Sequence, residues 1–220
     1  IGYRAFYNSS SLTSIAIPDS VTSIGDRAFY GCSSLTSIII PDSVTSIGYE
    51  AFSGCKSLSY NIKENVMYLG NENNPYMVVM DATDSFLSSY TIDEGARFLH
   101  SGAFEYCSLT SITIPDNVIS IGGQAFHNCT LLTSITIPDS VTSIGGSAFE
   151  NCKSLTSVTI GNGVTRIGEQ AFYGCSSLTD IIYNGTIEEW KNIEKGSDWK
   201  GETGEFTVHC TDGDLTREEA

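Results

Sequence analysis

The segment LTSITIPDSVTSIGGSAFENC, residues 132–152, occurs almost unchanged at several places along the chain. Nearly the same letters begin at Leu35, and looser copies begin at Leu12, Leu109 and Leu155. Each copy contains an Ala-Phe pair, and successive pairs are 23, 23, 52, 22, 23 and 23 residues apart. The phenylalanines of these pairs are Phe6, Phe29, Phe52, Phe104, Phe126, Phe149 and Phe172. A fixed period of this length is typical of a solenoid, in which one small structural unit stacks on its own copy.

The polar and apolar letters of one unit predict the path of each coil. Residues 134–137 alternate and are rich in β-branched side chains, which predicts a strand. The Pro-Asp-Ser sequence at 138–140 predicts a turn, because proline fixes φ and aspartate bonds nearby backbone. Residues 141–144 resume an extended pattern that Gly145 ends. The remaining residues, 146–152, predict one turn of helix, which is too short to be stable alone.

The repeated apolar positions are expected to form the inside of the solenoid. Each coil would return to its start one strand spacing further on, about 4.8 Å. Identical side chains would then stack as internal ladders. In the quoted unit these positions are Leu132, Ile135, Ile137, Val141, Ile144, Ala148, Phe149 and Cys152.

The pattern LxxIxIPxxVxxIGxxAFxxC resembles the leucine-rich repeat family of the BspA type, over residues 1 to about 183. The resemblance implies a β-rich, right-handed leucine-rich-repeat coil with short helical turns. It also implies an extracellular or cell-surface protein used in adhesion or binding, whose repeats carry no catalysis. The chain opens on IGYRAFYN, the second half of a unit, so we expect a fragment from which a signal peptide has been removed.

Composition excludes two classes of partner. The 220 residues include 11 basic and 26 acidic side chains, a net charge of −15. Nucleic acids and anionic membrane surfaces both require clustered basic residues. The sequence also lacks the run of about 18 apolar residues that a membrane-spanning helix needs. We therefore expect neither a nucleic-acid partner nor insertion into a membrane.

The 52-residue step predicts an insertion in the solenoid, at about residues 61–91. Two β-rich runs surround Asn-Glu-Asn-Asn within residues 65–82, a pattern typical of a hairpin. Residues 92–104 then match the repeat again, with His100 in the slot that is Gly25 in an earlier unit. The insertion is interpreted either as an elaborated coil or as a dedicated binding device.

The pattern ends after residue 182, which gives the predicted C-terminal boundary of the solenoid. Thr186 is a good helix N-cap, and residues 205–210 alternate as a strand. The apolar side chains on one face of that helix are Ile187, Trp190 and Ile193. A solenoid needs an atypical last unit to cover its open core. We interpret residues 183–212 as this cap and residues 213–220 as a tail.

The cysteines and histidines predict no catalytic or metal site, and we expect no cofactor. Six of the seven cysteines lie three residues after the repeat phenylalanine, a spacing that predicts buried free thiols filling one slot of the core. No pair has the spacing of zinc ligands, and Cys210 lies outside the ladder. The three histidines are scattered and are interpreted as surface residues. Asp139 and its equivalents are expected to close Asx turns, with calcium binding as the alternative.

The candidate partner-binding residues fall into two groups. On each predicted strand the side chains between the apolar ones must point outward. That group includes Ser37, Ile39, Thr113, Thr136 and Thr159. Larger side chains, of the kind that anchor interfaces, gather in the insertion: Tyr68, Tyr76, Met77, Met80, Phe86 and Tyr90. Some of these must pack as core, and those left exposed would decide the choice of partner.

Solenoids present long surfaces that suit macromolecules better than small substrates. The sequence therefore favours a non-catalytic module that binds a host or matrix protein or a glycan. Two alternatives stay open, namely a structural spacer and an accessory region of a larger surface protein or hydrolase.

Overall fold

The computed structural model describes residues 1–220, which coil into a β-solenoid with two short strands in most units. In chain order the strands are β1 (Ser23–Ile24), β2 (Ser46–Ile47), β3 (Asn61–Lys63), β4 (Val66–Leu69), β5 (Val78–Ala82), β6 (Ser89–Thr91), β7 (Phe98–Leu99), β8 (Ser111–Thr113), β9 (Ser120–Ile121), β10 (Ser134–Ile137), β11 (Ser143–Ile144), β12 (Ser157–Ile160), β13 (Arg166–Ile167), β14 (Asp180–Tyr183), β15 (Glu194–Lys195), β16 (Thr207–Cys210) and β17 (Gly213–Thr216). The single helix is α1 (Ile187–Asn192).

Equivalent strands of successive coils pair in parallel and in register. The first strands of the later units form a sheet in the order β10-β12-β14-β16-β17. The second strands form a longer sheet, β15-β13-β11-β9-β7-β5-β4-β3. Ile144, for example, pairs with Ile121 on one side and Ile167 on the other. The strand predicted at residues 134–137 is confirmed as β10.

The segment after the second strand is a series of tight turns, so the predicted helical turn at 146–152 is wrong. Ser147 and Asn151 have φ of 55° and 59°, in the left-handed region that a right-handed helix excludes. Alternate amides make different bonds. Glu150 N–H donates within its own turn, to Ser147 O, whereas Phe149 N–H donates to the carbonyl of Ala171 in the next coil. The repetition therefore joins neighbouring coils at their turns as well as at their strands.

The interior is made of the predicted ladders, and all eight apolar positions of the quoted unit are buried. Phenylalanine rings stack along the axis, with Phe126 and Phe149 5.1 Å apart and nearly parallel, at 9°. The buried side chains fall into two clusters, of 18 residues towards the N-terminus and 42 residues beyond it. The Phe29 and Phe52 rings stack in the first cluster, and the Phe104 and Phe126 rings stack in the second.

The insertion lies between the two clusters and belongs to both. β3, β4 and β5 form an antiparallel meander, so the predicted hairpin is confirmed. β5 then pairs in parallel with β7 and joins the sheet of second strands. Val78 packs in the smaller cluster and its neighbour Val79 in the larger one. The repeat resumes earlier than expected, because β6 already pairs in register with β8 inside the range 61–91.

The coil of Phe52 and the coil of Phe104 are not joined by the usual turn bonds. In the preceding pair of coils, backbone N–H groups at three slots donate to backbone carbonyls, as Gly31 does to Ser53. Here Glu50 N–H donates instead to the hydroxyl of Ser101, and Phe52 N–H donates to the imidazole of His100. Side chains thus replace carbonyls where the hairpin separates the two coils.

Residues near the C-terminus pack against the last repeat. α1 begins at the predicted N-cap, where Glu189 N–H donates to Thr186 Oγ1 at 3.2 Å and the Glu189 carboxylate accepts from Thr186 N–H. Trp199 packs edge-on against Phe172, and Trp190 packs against Trp199. No helix has the length and apolar character that crossing a bilayer would require. The interpretation of 213–220 as a tail is wrong, because β17 pairs with β16.

Candidate functional site

The outward side chains of β10, β12 and β14 form one row. Thr136, Thr159 and Ile182 are adjacent in register across β10, β12 and β14. Thr136 and Ile182 are exposed and Thr159 is half-buried. Ser37, Thr113 and Ile39 are also exposed, Ile39 to 61%. Thr113 lies on β8, which pairs with β6 in a separate sheet, and Ser37 forms only an isolated bridge with Ser14. The structure therefore brings Thr136 and Thr159 together in one row but does not join Ser37, Ile39 and Thr113 to it by strand pairing.

His209 closes the C-terminal end of this row. Its Nε2 lies 3.0 Å from a carboxylate oxygen of Asp180, and its Nδ1 lies 3.0 Å from one of Asp214. Hydrogen bonds to Asp180 and then Asp214 raise the pKa of His209. The pKa of Asp180 is lowered, first by the Thr179 hydroxyl and then by His209. The cluster is a local network of charges on an otherwise uncharged row.

A groove of about 640 Å³ crosses the turns that follow the second strands. Glycines line it because the coils approach closely here, and a Cβ on Gly145 would lie 2.4 Å from the backbone nitrogen of Gly123. The Tyr49 hydroxyl donates to Gln124 Oε1 at 3.2 Å, so its side chain bridges coils that another coil separates. Sequence reasoning missed Tyr49. The sequence did contain a signal for it, because Tyr49 occupies the repeat position that is glycine at 123 and 146.

The cysteine slot has a repeated structural role. All six ladder cysteines are buried free thiols. Five of them donate a hydrogen bond to the carbonyl of a phenylalanine in the preceding coil, as Cys152 does to Phe126 O at 3.1 Å. Burial raises the pKa of Cys55 and of Cys175 to about 12. These thiols are therefore protonated donors at neutral pH and poor nucleophiles.

Most of the large side chains predicted as anchors in the insertion are core. Tyr68 and Met77 have no exposed surface, Met80 is 7% exposed and Tyr90 is 5% exposed. The Tyr68 and Tyr90 hydroxyls lie 2.8 Å apart and share a buried hydrogen bond. These four side chains are packed in the core and are not exposed anchors. Because the insertion contributes to both clusters, its excision would remove core as well as surface.

Of the other two predicted anchors, Tyr76 is half-buried against the core, and Phe86 remains on the surface with 83% of its side chain exposed. Its N–H donates to the carboxylate of Asp84, which fixes the turn that presents it. Phe86 and Leu131 occupy the same slot of their units, directly before Leu87 and Leu132, which pack against the larger cluster. Leu131 is 49% exposed, and Tyr106, in the intervening coil, is 62% exposed. We refer to Phe86, Tyr106 and Leu131 as the exposed flank.

Two interpretations of polar residues are wrong. His100 is 5% exposed and is not a surface histidine. Its Nδ1 lies 3.1 Å from Ser101 O, and burial lowers its pKa to about 4. Asp139 does not close an Asx turn on its own backbone. Its carboxylate accepts from Asn162 N–H in the next coil and from the Asn184 side chain in the coil beyond, each at 3.1 Å.

A family model for the BspA type leucine rich repeat region matches six copies in residues 1–73 and 97–194. The chain belongs to the BspA-type leucine-rich repeat family. The match stops where the hairpin begins to pair with the coil of Phe104, and it resumes at β7. Curated proteins gave no significant match to this BspA-type chain.

Solved structures share this architecture. A leucine rich cell surface protein from Faecalibacterium prausnitzii is 28% identical, with a TM-score of 0.56, over 88% of this chain and 65% of that one. A leucine-rich repeat protein from Eubacterium ventriosum is 22% identical, with a TM-score of 0.53, over 89% of this chain and 69% of that one. The second likeness concerns the fold alone. This BspA-type chain spans less than two thirds of the Faecalibacterium protein.

Proposed function

We propose that this chain is a non-catalytic module that binds a protein partner, as part of a secreted or cell-surface bacterial protein. Support for the location comes from the similar Faecalibacterium protein, which is described as a cell surface protein. Support for binding comes from the solenoid itself, whose stacked coils give an extended surface.

The observation that carries the proposal is the exposed flank. Surface residues of a folded chain are apolar often enough that one exposed side chain means little. Here Phe86, Tyr106 and Leu131 are each about half exposed or more, and they lie on neighbouring coils beside the insertion. Aromatic side chains that lose water on contact supply much of the energy of protein interfaces. The flank therefore supplies the main anchors for the partner, and the row on β10, β12 and β14 makes secondary contacts.

A binding screen against matrix proteins, other host proteins and glycans tests this assignment. Phe86→Ser should weaken binding of the partner found in the screen by about tenfold, because one large apolar anchor is lost. Ile62→Ser is the matched control, since Ile62 is also exposed, to 64%, but lies on the outer strand of the hairpin. Both variants keep the core intact, unlike excision of the insertion. Equal binding by Phe86→Ser and the parent chain would exclude the flank, and a glycan as the sole partner would exclude a protein ligand.

A further inference from the structure

One hydrogen bond of the solenoid is left unmade between the coils of Phe52 and Phe104. The amides equivalent to Gly54 N–H all donate to a carbonyl of the next coil, as Gly31 does to Ser53 and Asn128 does to Glu150. Gly54 N–H has no acceptor within the protein. Its equivalent acceptor, the carbonyl of Glu105, receives no backbone N–H either. A donor and an acceptor thus remain on the two walls of the same gap.

The gap is a cleft of about 390 Å³, within the size range of ligand sites. Gly54 and its neighbours form one wall, and the segment from His100 to Tyr106 forms the other. Met67 of β4 and Met80 of β5 also line the cleft and supply apolar surface. The cleft opens beside Tyr106, so it adjoins the exposed flank.

Two carboxylates face this cleft. Asp81 follows Met80 on β5, and Glu105 lies on the opposite wall with one oxygen held by His127 at 2.8 Å. The pKa of Asp81 is raised, first by desolvation and also by the nearby charge of Glu105. Lys56 is the one basic residue lining the cleft. A cationic group between the carboxylates would relieve their repulsion.

We infer that this cleft binds an extended peptide segment of the protein partner, with one peptide group between Gly54 and Glu105 and an arginine side chain directed at Asp81 and Glu105. A trans peptide group presents its C=O and its N–H in opposite directions. It can accept from Gly54 N–H and donate to Glu105 O at the same time, which restores the missing bond of the ladder. A glycan hydroxyl lacks this fixed, opposed geometry.

Arginine suits the remainder of the cleft better than lysine. Its planar guanidinium has five donors and can bridge two carboxylates, and it also stacks on aromatic rings such as that of Tyr106. Its aliphatic stem can lie along Met67 and Met80 while the charged end reaches Asp81. The net charge of −15 adds a general attraction for a basic segment.

This inference rests on the proposed function, because it names the chemistry of the protein partner, but it is tested without that partner. The probe is a blocked tripeptide, acetyl-alanyl-arginyl-alanine methylamide, titrated into the full 15N-labelled chain. Its counterpart carries citrulline, which keeps the shape and the peptide groups but removes the charge. We expect a saturable shift of the Gly54 amide signal with the arginine peptide, and binding about tenfold weaker with citrulline.

Variants of the chain separate the cleft from general charge attraction. Asp81→Asn should weaken the arginine peptide about tenfold, because it removes one carboxylate of the pair. Asp19→Asn changes the net charge equally at an exposed position outside the cleft, and it should leave binding unchanged. The amide spectrum of each variant reports whether it is folded.

Each outcome decides between the two proposals. No saturable shift of Gly54 up to the solubility limit of the peptide would overturn the cleft assignment, as would equal weakening by Asp81→Asn and Asp19→Asn. The screened partner could lose its binding in Phe86→Ser and bind Asp81→Asn as well as the parent chain. That result would support the proposed function and refute binding at the cleft. Peptide binding at Gly54 without any protein found in the screen would support the cleft alone.

Discussion

His100 makes the stability of the fold depend on pH in one direction. Its Nε2 accepts the N–H of Phe52, so the ring is neutral, with its proton on Nδ1 towards Ser101 O. Protonation would place a second donor against Phe52 N–H inside a buried site. The pKa is about 4 in the fold against 6.5 for an unperturbed histidine, so the unfolded chain binds the proton more readily. Stability is therefore complete above the higher of these values and falls as pH drops towards the lower one.

The linkage relation gives the size of this loss. Between about pH 7 and about pH 5, His100 should lower the free energy of unfolding by about 2 kcal/mol. Urea denaturation of the parent chain and of His100→Gln, at several pH values, isolates the contribution, because other titrating groups cancel in the difference. His209→Gln is the control, since the raised pKa of His209 gives it the opposite pH dependence. Parallel stability curves for the parent and His100→Gln across this range would refute the assignment of a buried neutral imidazole.

Three further outcomes are expected. Under native conditions a thiol reagent should modify the partly exposed Cys210 first, and the ladder cysteines only on unfolding. Mass spectrometry would identify the modified residues, and rapid labelling of the ladder cysteines in the native protein would contradict their burial. Gly168→Ala places a Cβ 2.4 Å from Gly146 N and should lower the free energy of unfolding by about 2 kcal/mol. Gly2→Ala is the control, because its Cβ meets nothing within 4 Å. Equal melting temperatures for the two variants would argue against tight contact between coils. Thr186→Ala removes the N-cap of α1 and should cost about 1 kcal/mol in denaturation, and no loss would mean that the helix is held by packing alone.

Regular features of the fold follow from the sequence because each coil must match its neighbour. The slot of Ile144 is apolar in every unit, and the structure pairs it with its equivalents on both sides. The hairpin was also predictable, since its two runs share strand composition around a polar turn. The turn at 146–152 was not, because Ala148 and Glu150 favour a helix locally. In the structure, left-handed φ at Ser147 and Asn151 excludes that helix.

The candidate site was predicted less well, for a physical reason. Composition marks Tyr68 and Phe86 as equally good anchors, but one ring is fully buried and the other is 83% exposed. The difference depends on which face of the insertion meets the two cores, and that is a tertiary property. The cleft at Gly54 leaves still less signal in the sequence. It arises where a backbone hydrogen bond is missing between Gly54 and Glu105, which are far apart in the chain. His100 in a glycine slot was the one local indication.

Val78 and Val79 give the hairpin a consequence for how this chain can evolve. Cooperativity in a repeat array passes through contacts between neighbouring units. At this junction the contacts include adjacent side chains of one strand that belong to different cores. Whole units duplicated or deleted on one side would leave the other core, and the strand it needs, in place. The array can therefore change its length while the hairpin and the surfaces beside it are inherited unaltered.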